Sequence, residues 1–322
     1  MEGKKLKIVF LGTPDFAVAS LRRLVEGGYN VVGVVTVCDK PAGRGLKLQQ
    51  SAVKEYALSV GLTVLQPEKL RDETFLAQLR ALEPDLGIVI AFRMLPEAVW
   101  AMPRLGTFNL HASLLPQYRG AAPINRAIIN GETRTGVTTF MLNNQIDTGD
   151  IMARSEVDIT PEDTAGTLHD KLMDVGSVLV LNTVEAIASG KVQPVPQIAL
   201  PLELKEAPKI FKDDCRIIWD APGVQIINLI RGLSPFPGAW SVLAGPEEEI
   251  QVKIFAAQFR PADTDATPGT ITSDNRTFIE VACRDGYISL KEMQLAGKRS
   301  LPVAELLRGF KSITNYEFKI TN

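Results

Sequence analysis

The sequence predicts an α/β protein: a Rossmann-like, doubly wound, mostly parallel sheet, then a second, smaller, mainly β domain shaped as an OB-like barrel. Three observations lead there. The first half alternates short apolar, β-branched runs with helical patterns, and those runs are apolar on both faces, as buried parallel strands are. Prolines at 194, 196, 201 and 208 then break the chain without periodicity. Beyond them come shorter strand-like runs separated by turn signals. The division expected is 1–190 for the first domain, 191–208 for an extended linker and 209–322 for the second domain.

Taken in order, residues 7–11 (KIVFL) read as a buried strand meeting Gly12, Thr13, Pro14 and Asp15. A helix starts near Phe16 and stops at Gly27 and Gly28. Residues 31–37 form a second β-branched run; 51–60 read as a helix and 63–65 as a short strand. Helix 72–82 has Asp72 as its N-cap. Strands follow at 86–91 and 107–111, a helix at 123–130 and a strand at 136–142. Residues 164–189 are helical, with Leu168, Leu172, Val175 and Leu179 at helical spacing and Gly176 as the one discordant residue. In the second half, helices are expected at 221–233 and 302–310. Strands are expected at 251–259, 269–272, 277–283 and 287–292, the last two joined by a hairpin turn at Arg284, Asp285 and Gly286.

Bulk properties narrow the function classes. The 322 residues carry a net charge of −2, so no global field attracts nucleic acid, although a local basic patch is compatible with that charge. Three cysteines, Cys38, Cys215 and Cys283, are an odd number without a paired spacing, which argues against a disulfide scaffold and a structural zinc site and for a reducing cytoplasm. The N-terminal residues lack a signal-peptide layout, and no apolar run approaches membrane length.

The chemistry concentrates in Asn109 to Gly120 (NLHASLLPQYRG). Side chains alternate along a strand, so Asn109 and His111 share a side. This sets a neutral hydrogen-bond donor beside a group that exchanges protons near pH 7, at a strand end where open α/β sheets bind ligands. Such a pair suits attack on a carbonyl-like centre. His169, the other histidine, lies in the long helix beside Asp170 and reads as a packing or surface residue. Asp147, in Asp147-Thr148-Gly149-Asp150, is placed to orient the imidazole, although the segment alone reads as an Asx-type turn closed by Gly149. Gly12-Thr13-Pro14-Asp15 lacks the further glycines of a dinucleotide fingerprint, and Pro14 removes a backbone donor, so a helix-starting turn is the favoured reading. No metal-ligand spacing is evident among His111, Asp147 and Asp150. Asp39 to Lys47 reads as a flexible loop in which Gly43 and Gly45 bracket Arg44. It is either a solvated loop or a clamp for phosphates or a nucleic-acid edge.

These segments together resemble the methionyl-tRNA formyltransferase family, end to end. The resemblance rests on Gly12 to Phe16, Asp39 to Gly45, Asn109 to Gly120 with Ala121-Ala122-Pro123, and Asp147 to Asp150. Pro237 to Trp240 and Leu295 to Lys298 add to it. It implies a formyltransferase fold and transfer of the formyl group of 10-formyltetrahydrofolate to the α-amine of methionine on initiator tRNA, without a metal. In that reading Asn109 donates to the developing oxyanion, His111 handles the amine proton, and Asp147 holds the imidazole and a water. Ser113, Leu114, Leu115, Pro116, Phe92 and Leu95 line the folate site, while Arg44, Lys40 and Lys47 meet the tRNA acceptor end. The resemblance also implies a monomer. The chain departs from the family pattern at 91–96, one residue shorter and lacking a glycine, and at Gln145, where the family has glycine. Two alternatives share the same residues: a formyl-folate enzyme acting on a small amine, a nucleotide sugar or water, and a folate- or RNA-binding module without catalysis.

Overall fold

β-branched and aliphatic runs without a polar face leave all five residues of the first strand, Ile8–Gly12, buried. The computed structural model describes residues 2–42, 47–197, 203–310 and 312–320. They fall into two compact units: Met1–Pro123, Arg134–Asp158 and His169–Ala207 in the first, Ile124–Thr133, Ile159–Leu168 and Pro208–Asn322 in the second.

In chain order the strands of the first unit are β1 (Ile8–Gly12), β2 (Val31–Val35), β3 (Lys40–Ala42), β4 (Lys47–Gln49), β5 (Val64–Leu65), β6 (Leu86–Ile90), β7 (Thr107–His111), β8 (Arg119–Gly120), β9 (Arg134–Met141), β10 (Ile151–Asp158) and β11 (Glu206–Ala207). Seven of them form one sheet in the order β10-β9-β7-β6-β1-β2-β5. Pairings from β5 through β7 are parallel, and β9 and β10 add antiparallel at one edge. The doubly wound core is therefore as expected, extended by an antiparallel pair. β10 was not predicted, because its residues are mostly half-buried or exposed and lack an apolar signature.

Helices α1 (Asp15–Glu26), α2 (Ala52–Ser59), α3 (Glu73–Ala81) and the single-turn α4 (Glu97–Trp100) connect the parallel strands. Two start on the caps their sequences offer: Ser51 accepts a hydrogen bond from the Lys54 amide at 3.1 Å, and Asp72 accepts one from the Phe75 amide at 3.0 Å. Pro14 caps α1, and a side chain on Gly12 would come 2.7 Å from Ala17 Cβ, so the Gly12–Asp15 turn serves helix packing. α5 is Pro123–Ile129 and α6 is Ala165–Ala188. The helix-weakening Gly176 has a packing reason, since a Cβ there would sit 2.8 Å from Leu110 Cδ2 on β7.

The segment expected as a flexible loop after β2 is bounded by a ribbon: β3 and β4 pair antiparallel, Lys40 with Gln49 and Ala42 with Lys47. Asp39 anchors its root by accepting from Lys54 Nζ at 2.6 Å and Gln66 Nε2 at 2.8 Å. Those hydrogen bonds hold its carboxyl below the usual carboxylate range. Arg44 lies outside the described residues.

The second unit carries α7 (Gly223–Leu233), then strands β12 (Ala239–Ala244), β13 (Glu249–Pro261), β14 (Ile271–Ser273), β15 (Ile279–Cys283), β16 (Gly286–Leu295), β17 (Ser300–Pro302), helix α8 (Val303–Leu306) and β18 (Glu317–Phe318). The antiparallel order β14-β15-β16-β13-β12-β18 returns on itself. Thr270 bridges Glu317, and the Phe318 amide donates to Gly269 O at 2.9 Å, which closes a small barrel. Its core includes Trp219, fully buried, whose indole N–H donates to Ser241 Oγ at 3.0 Å and whose ring lies 4.7 Å from that of Phe318. Arg284 and Asp285 form the expected hairpin turn, since Cys283 pairs with Gly286. β12, β17 and β18 were not predicted; two of them are too short to show an alternation.

β6 and β7 approach closely because Gly87 faces Thr107, whose hydroxyl donates to Trp100 O at 2.7 Å. A Cβ on Gly87 would overlap that hydroxyl. Gly87→Ala is expected to cost on the order of 1–3 kcal/mol through overpacking. Denaturant unfolding checks it: a lowered midpoint is expected, and an unchanged midpoint would contradict the close-approach argument.

Candidate active site

Asn109 and His111 lie at the carboxyl end of β7, where the sheet changes from parallel pairing with β6 to antiparallel pairing with β9. Open α/β sheets bind ligands outside the carboxyl ends of their strands, and here the strand order reverses between β1 and β6, with β7 next to β6. Asn109 is half-buried, and its side chain forms no hydrogen bond among the described residues. His111 is 8% exposed.

The imidazole is fixed from one side. Its Nε2 lies 2.8 Å from the carbonyl oxygen of Tyr118, and since a carbonyl only accepts, Nε2 carries the proton. Nδ1 is then the unprotonated nitrogen of the neutral ring, 3.8 Å from Asp147 Oδ2. That distance is too long for a direct hydrogen bond, and a charge pair forms across it only when the ring is protonated. Asp147 Oδ2 in turn accepts from the Gly120 amide at 3.0 Å.

The backbone around the three residues is specialised. Tyr118 has φ +58° and Asp147 φ +53°, left-handed conformations that cost side-chain-bearing residues on the order of 1–3 kcal/mol. Tyr118 is held there by its amide donating to Lys205 O at 2.6 Å. Gly120 has φ +125°, and a Cβ on it would overlap Ala207 O, because β8 runs parallel to β11 at that point. A Cβ on Gly149 would overlap Met141 O, so the turn after Asp147 also depends on glycine. Asn143 organises the start of that loop, accepting from the Gln145 amide at 2.9 Å and the Thr148 hydroxyl at 3.0 Å. Gln145 thus enters through its amide, and the Asx turn is made by Asn143 rather than by Asp147, whose carboxylate bonds Gly120.

Between His111 and Tyr118 the chain is clamped by Thr138 on β9, opposite His111. The Thr138 hydroxyl donates to Ser113 O at 2.7 Å and accepts from the Leu115 amide at 3.2 Å. Ser113 is fully buried, its hydroxyl donating to Gln117 O at 2.6 Å, and Leu115 packs with Phe140 and Ile151. Leu114 and Pro116, the alternate residues, are half-buried. Leu95 belongs to the core cluster of β1 and β6, with Phe92 packed against it. Arg93 ties the 91–96 segment down by donating to Glu68 O at 2.9 Å and Pro67 O at 2.5 Å.

Asn109, His111 and Asp147 are thus gathered at one strand end. Lys40 is exposed on β3, and Lys47 lies in β4, in the separate ribbon. His169 sits edge-on to Phe16 at 5.2 Å, near Asp15 and Asp170, away from this cluster in the sequence and in its contacts. Sequence reasoning missed Tyr118, Gly120, Thr138 and Gln197. The first two act through backbone atoms. Thr138 was reachable through strand pairing, and Gln197 left no local signal. Among the described residues no three His, Cys, Asp or Glu side chains are grouped to hold a metal ion, and no helix is long and apolar enough to cross a membrane.

Residues 6–184 match the family model described as formyl transferase, and residues 209–311 match that of the formyl transferase C-terminal domain. A methionyl-tRNA formyltransferase of Parabacteroides distasonis is 56% identical over 321 residues, covering 98% of this chain and 99% of that protein. One of Phocaeicola vulgatus is 57% identical over 320 residues, covering 98% and 99%. Among solved structures, HypX from Aquifex aeolicus in complex with tetrahydrofolic acid superposes with a TM-score of 0.64 at 20% identity, over 94% of this chain and 47% of that one. This chain therefore spans about half the length of HypX. WlaRD, a sugar 3N-formyl transferase crystallised with dTDP and 5-N-formyl-THF, gives 0.63 at 19% identity, over 91% and 99%. The structural likenesses carry the fold; identity above one half across nearly the whole of both chains makes this chain a member of the methionyl-tRNA formyltransferase family.

Proposed function

We propose that this formyltransferase moves the formyl group of 10-formyltetrahydrofolate to the α-amine of methionine on initiator tRNA, using Asn109, His111 and Asp147. The observation that carries the assignment is the convergence of a half-buried amide without a side-chain partner and an imidazole whose free nitrogen faces a carboxylate. Bound 10-formyltetrahydrofolate supplies an activated formyl carbon. Asn109 donates an amide N–H to the oxygen on which charge develops. His111 Nδ1 accepts the proton that the attacking amine loses, and the imidazolium so formed faces the Asp147 carboxylate. The same proton is available to the nitrogen that leaves the formyl carbon, so the site ends as it began. Nε2–H stays on the Tyr118 carbonyl throughout, which keeps Nδ1 as the working atom.

The folate wall is backbone more than side chain. Ser113, Leu115 and Leu95 turn into the protein, which leaves Leu114, Pro116 and Phe92 as the groups at hand for the ligand. Arg44, Lys40 and Lys47 meet the acceptor end of the tRNA, and the ribbon β3–β4 gives that loop a fixed root at Asp39. On the second unit Lys212 and Arg216 flank the Trp240 ring at 5.5 and 5.4 Å, a basic and aromatic surface suited to an RNA backbone. We place the protein in the cytoplasm as a monomer; its three cysteines are free, in keeping with a reducing compartment.

The purified chain is expected to formylate methionyl initiator tRNA with 10-formyltetrahydrofolate as donor. Formylation of amino sugars but not of the charged tRNA would defeat the reading. His111→Ala and Asn109→Ala are each expected to lower kcat/KM about a hundredfold or more, with folate binding retained. Arg44→Ala is expected to weaken tRNA affinity while leaving folate affinity alone; equal tRNA affinity in that variant would remove the clamp role.

A further inference from the structure

We infer that Gln197 is a positioning residue for the catalytic loop, acting as a latch that holds Asp147 in place against His111. The inference rests on the roles proposed for Asp147 and His111. Gln197 lies in the stretch between α6 and β11, fifty residues from Asp147, and one amide group makes four hydrogen bonds there. Nε2 donates to Asp147 O at 3.0 Å and to Gly149 O at 2.8 Å. Oε1 accepts from Arg119 Nε at 3.1 Å and from its terminal nitrogen at 2.6 Å.

The surroundings determine which end of the amide is which. Two carbonyls require the NH₂ group and a guanidinium requires the oxygen, so the reverse orientation would set like against like on both sides. Both hydrogens and both lone pairs of the amide are thereby used.

What the latch joins gives it a role beyond packing. Asp147 sits in a left-handed conformation, less favourable than the right-handed one for a residue with a Cβ, and contacts from distant segments fix its place. Gln197 bonds to its carbonyl and to that of Gly149, which spans the turn on which the carboxylate is mounted. On its other side it grips Arg119, the residue between Tyr118, whose carbonyl orients His111, and Gly120, whose amide binds the Asp147 carboxylate. One side chain therefore couples the strand that aligns the imidazole to the loop that aligns the carboxylate. The nearby bridge of Val195 to Ile151 on β10 holds the segment that carries it.

The experiment uses the full-length protein with Gln197→Ala, Gln197→Glu, Asp147→Asn and the Gln197→Ala/Asp147→Asn double variant. Steady-state formylation of charged initiator tRNA is measured together with hydrogen exchange of the 143–149 peptide. Gln197→Ala is expected to lower kcat about tenfold with KM for the folate changed less than about twofold, because the ground-state site is intact and only its alignment is loosened. Gln197→Glu keeps the size and the Arg119 contact but sets a carboxylate against two carbonyls, so it is expected to fold and to lose activity at least as far. In the Asp147→Asn background, removing Gln197 is expected to add less than about twofold, and loop exchange is expected to quicken in both single Gln197 variants. An unchanged kcat, an undiminished tenfold loss on top of Asp147→Asn, or unaltered exchange would each overturn the latch. A parent protein that does not formylate the charged tRNA would defeat the functional reading instead, and the exchange measurement, which needs no substrate, would still decide the latch.

Discussion

The site depends on one hydrogen bond, from His111 Nε2 to the Tyr118 carbonyl at 2.8 Å. It selects the tautomer, fixes the ring plane and leaves Nδ1 as the only nitrogen able to take a proton. Making it requires the chain to double back within seven residues and present a carbonyl to its own strand end. That needs Tyr118 at a positive φ, a buried Ser113 bonded across the turn, and Thr138 reaching from β9 to clamp both Ser113 and Leu115. Ser113 and Leu115, folate contacts by the resemblance, make hydrogen bonds that brace the chain between His111 and Tyr118.

The antiparallel edge supplies the second half of the site. β9 pairs with β7 so that Thr138 stands opposite His111, and the loop after β9 returns Asp147 toward the imidazole. Two absent side chains make this geometry possible. Gly149 lets the loop pass Met141 O, and Gly120 lets β8 pass Ala207 O while its amide binds the Asp147 carboxylate. The parallel core contributes rigidity and the strand end; the antiparallel addition contributes the carboxylate.

Much of this was legible because it is local. Period-two alternation put Asn109 and His111 on one side of β7, and the apolar β1 and β6 announced a sheet buried on both faces. Asp72 started a helix where its side chain could cap it. The illegible parts are those made by partners distant in sequence. β10 owes its place to β9 and to the bridge with Val195, not to an apolar pattern of its own. β3 and β4 are held by each other across a segment whose composition reads as a loop. Leu95, a folate contact by the resemblance, is packed in the core cluster by partners distant in sequence. Gln197 shows no periodicity, cap or motif, and its importance lies wholly in what folding brings to its amide.

With only two histidines in the chain, nitrogen NMR of the imidazoles reads the central claim directly. Comparison of the parent with a His169→Asn variant assigns His111 without ambiguity. At a pH where the ring is neutral, the Nε2–H tautomer is expected, with Nδ1 showing the shift of an unprotonated nitrogen. A His111 found with its proton on Nδ1 would contradict it, because the Tyr118 carbonyl would then face a lone pair and the nitrogen beside Asp147 could not receive the amine proton.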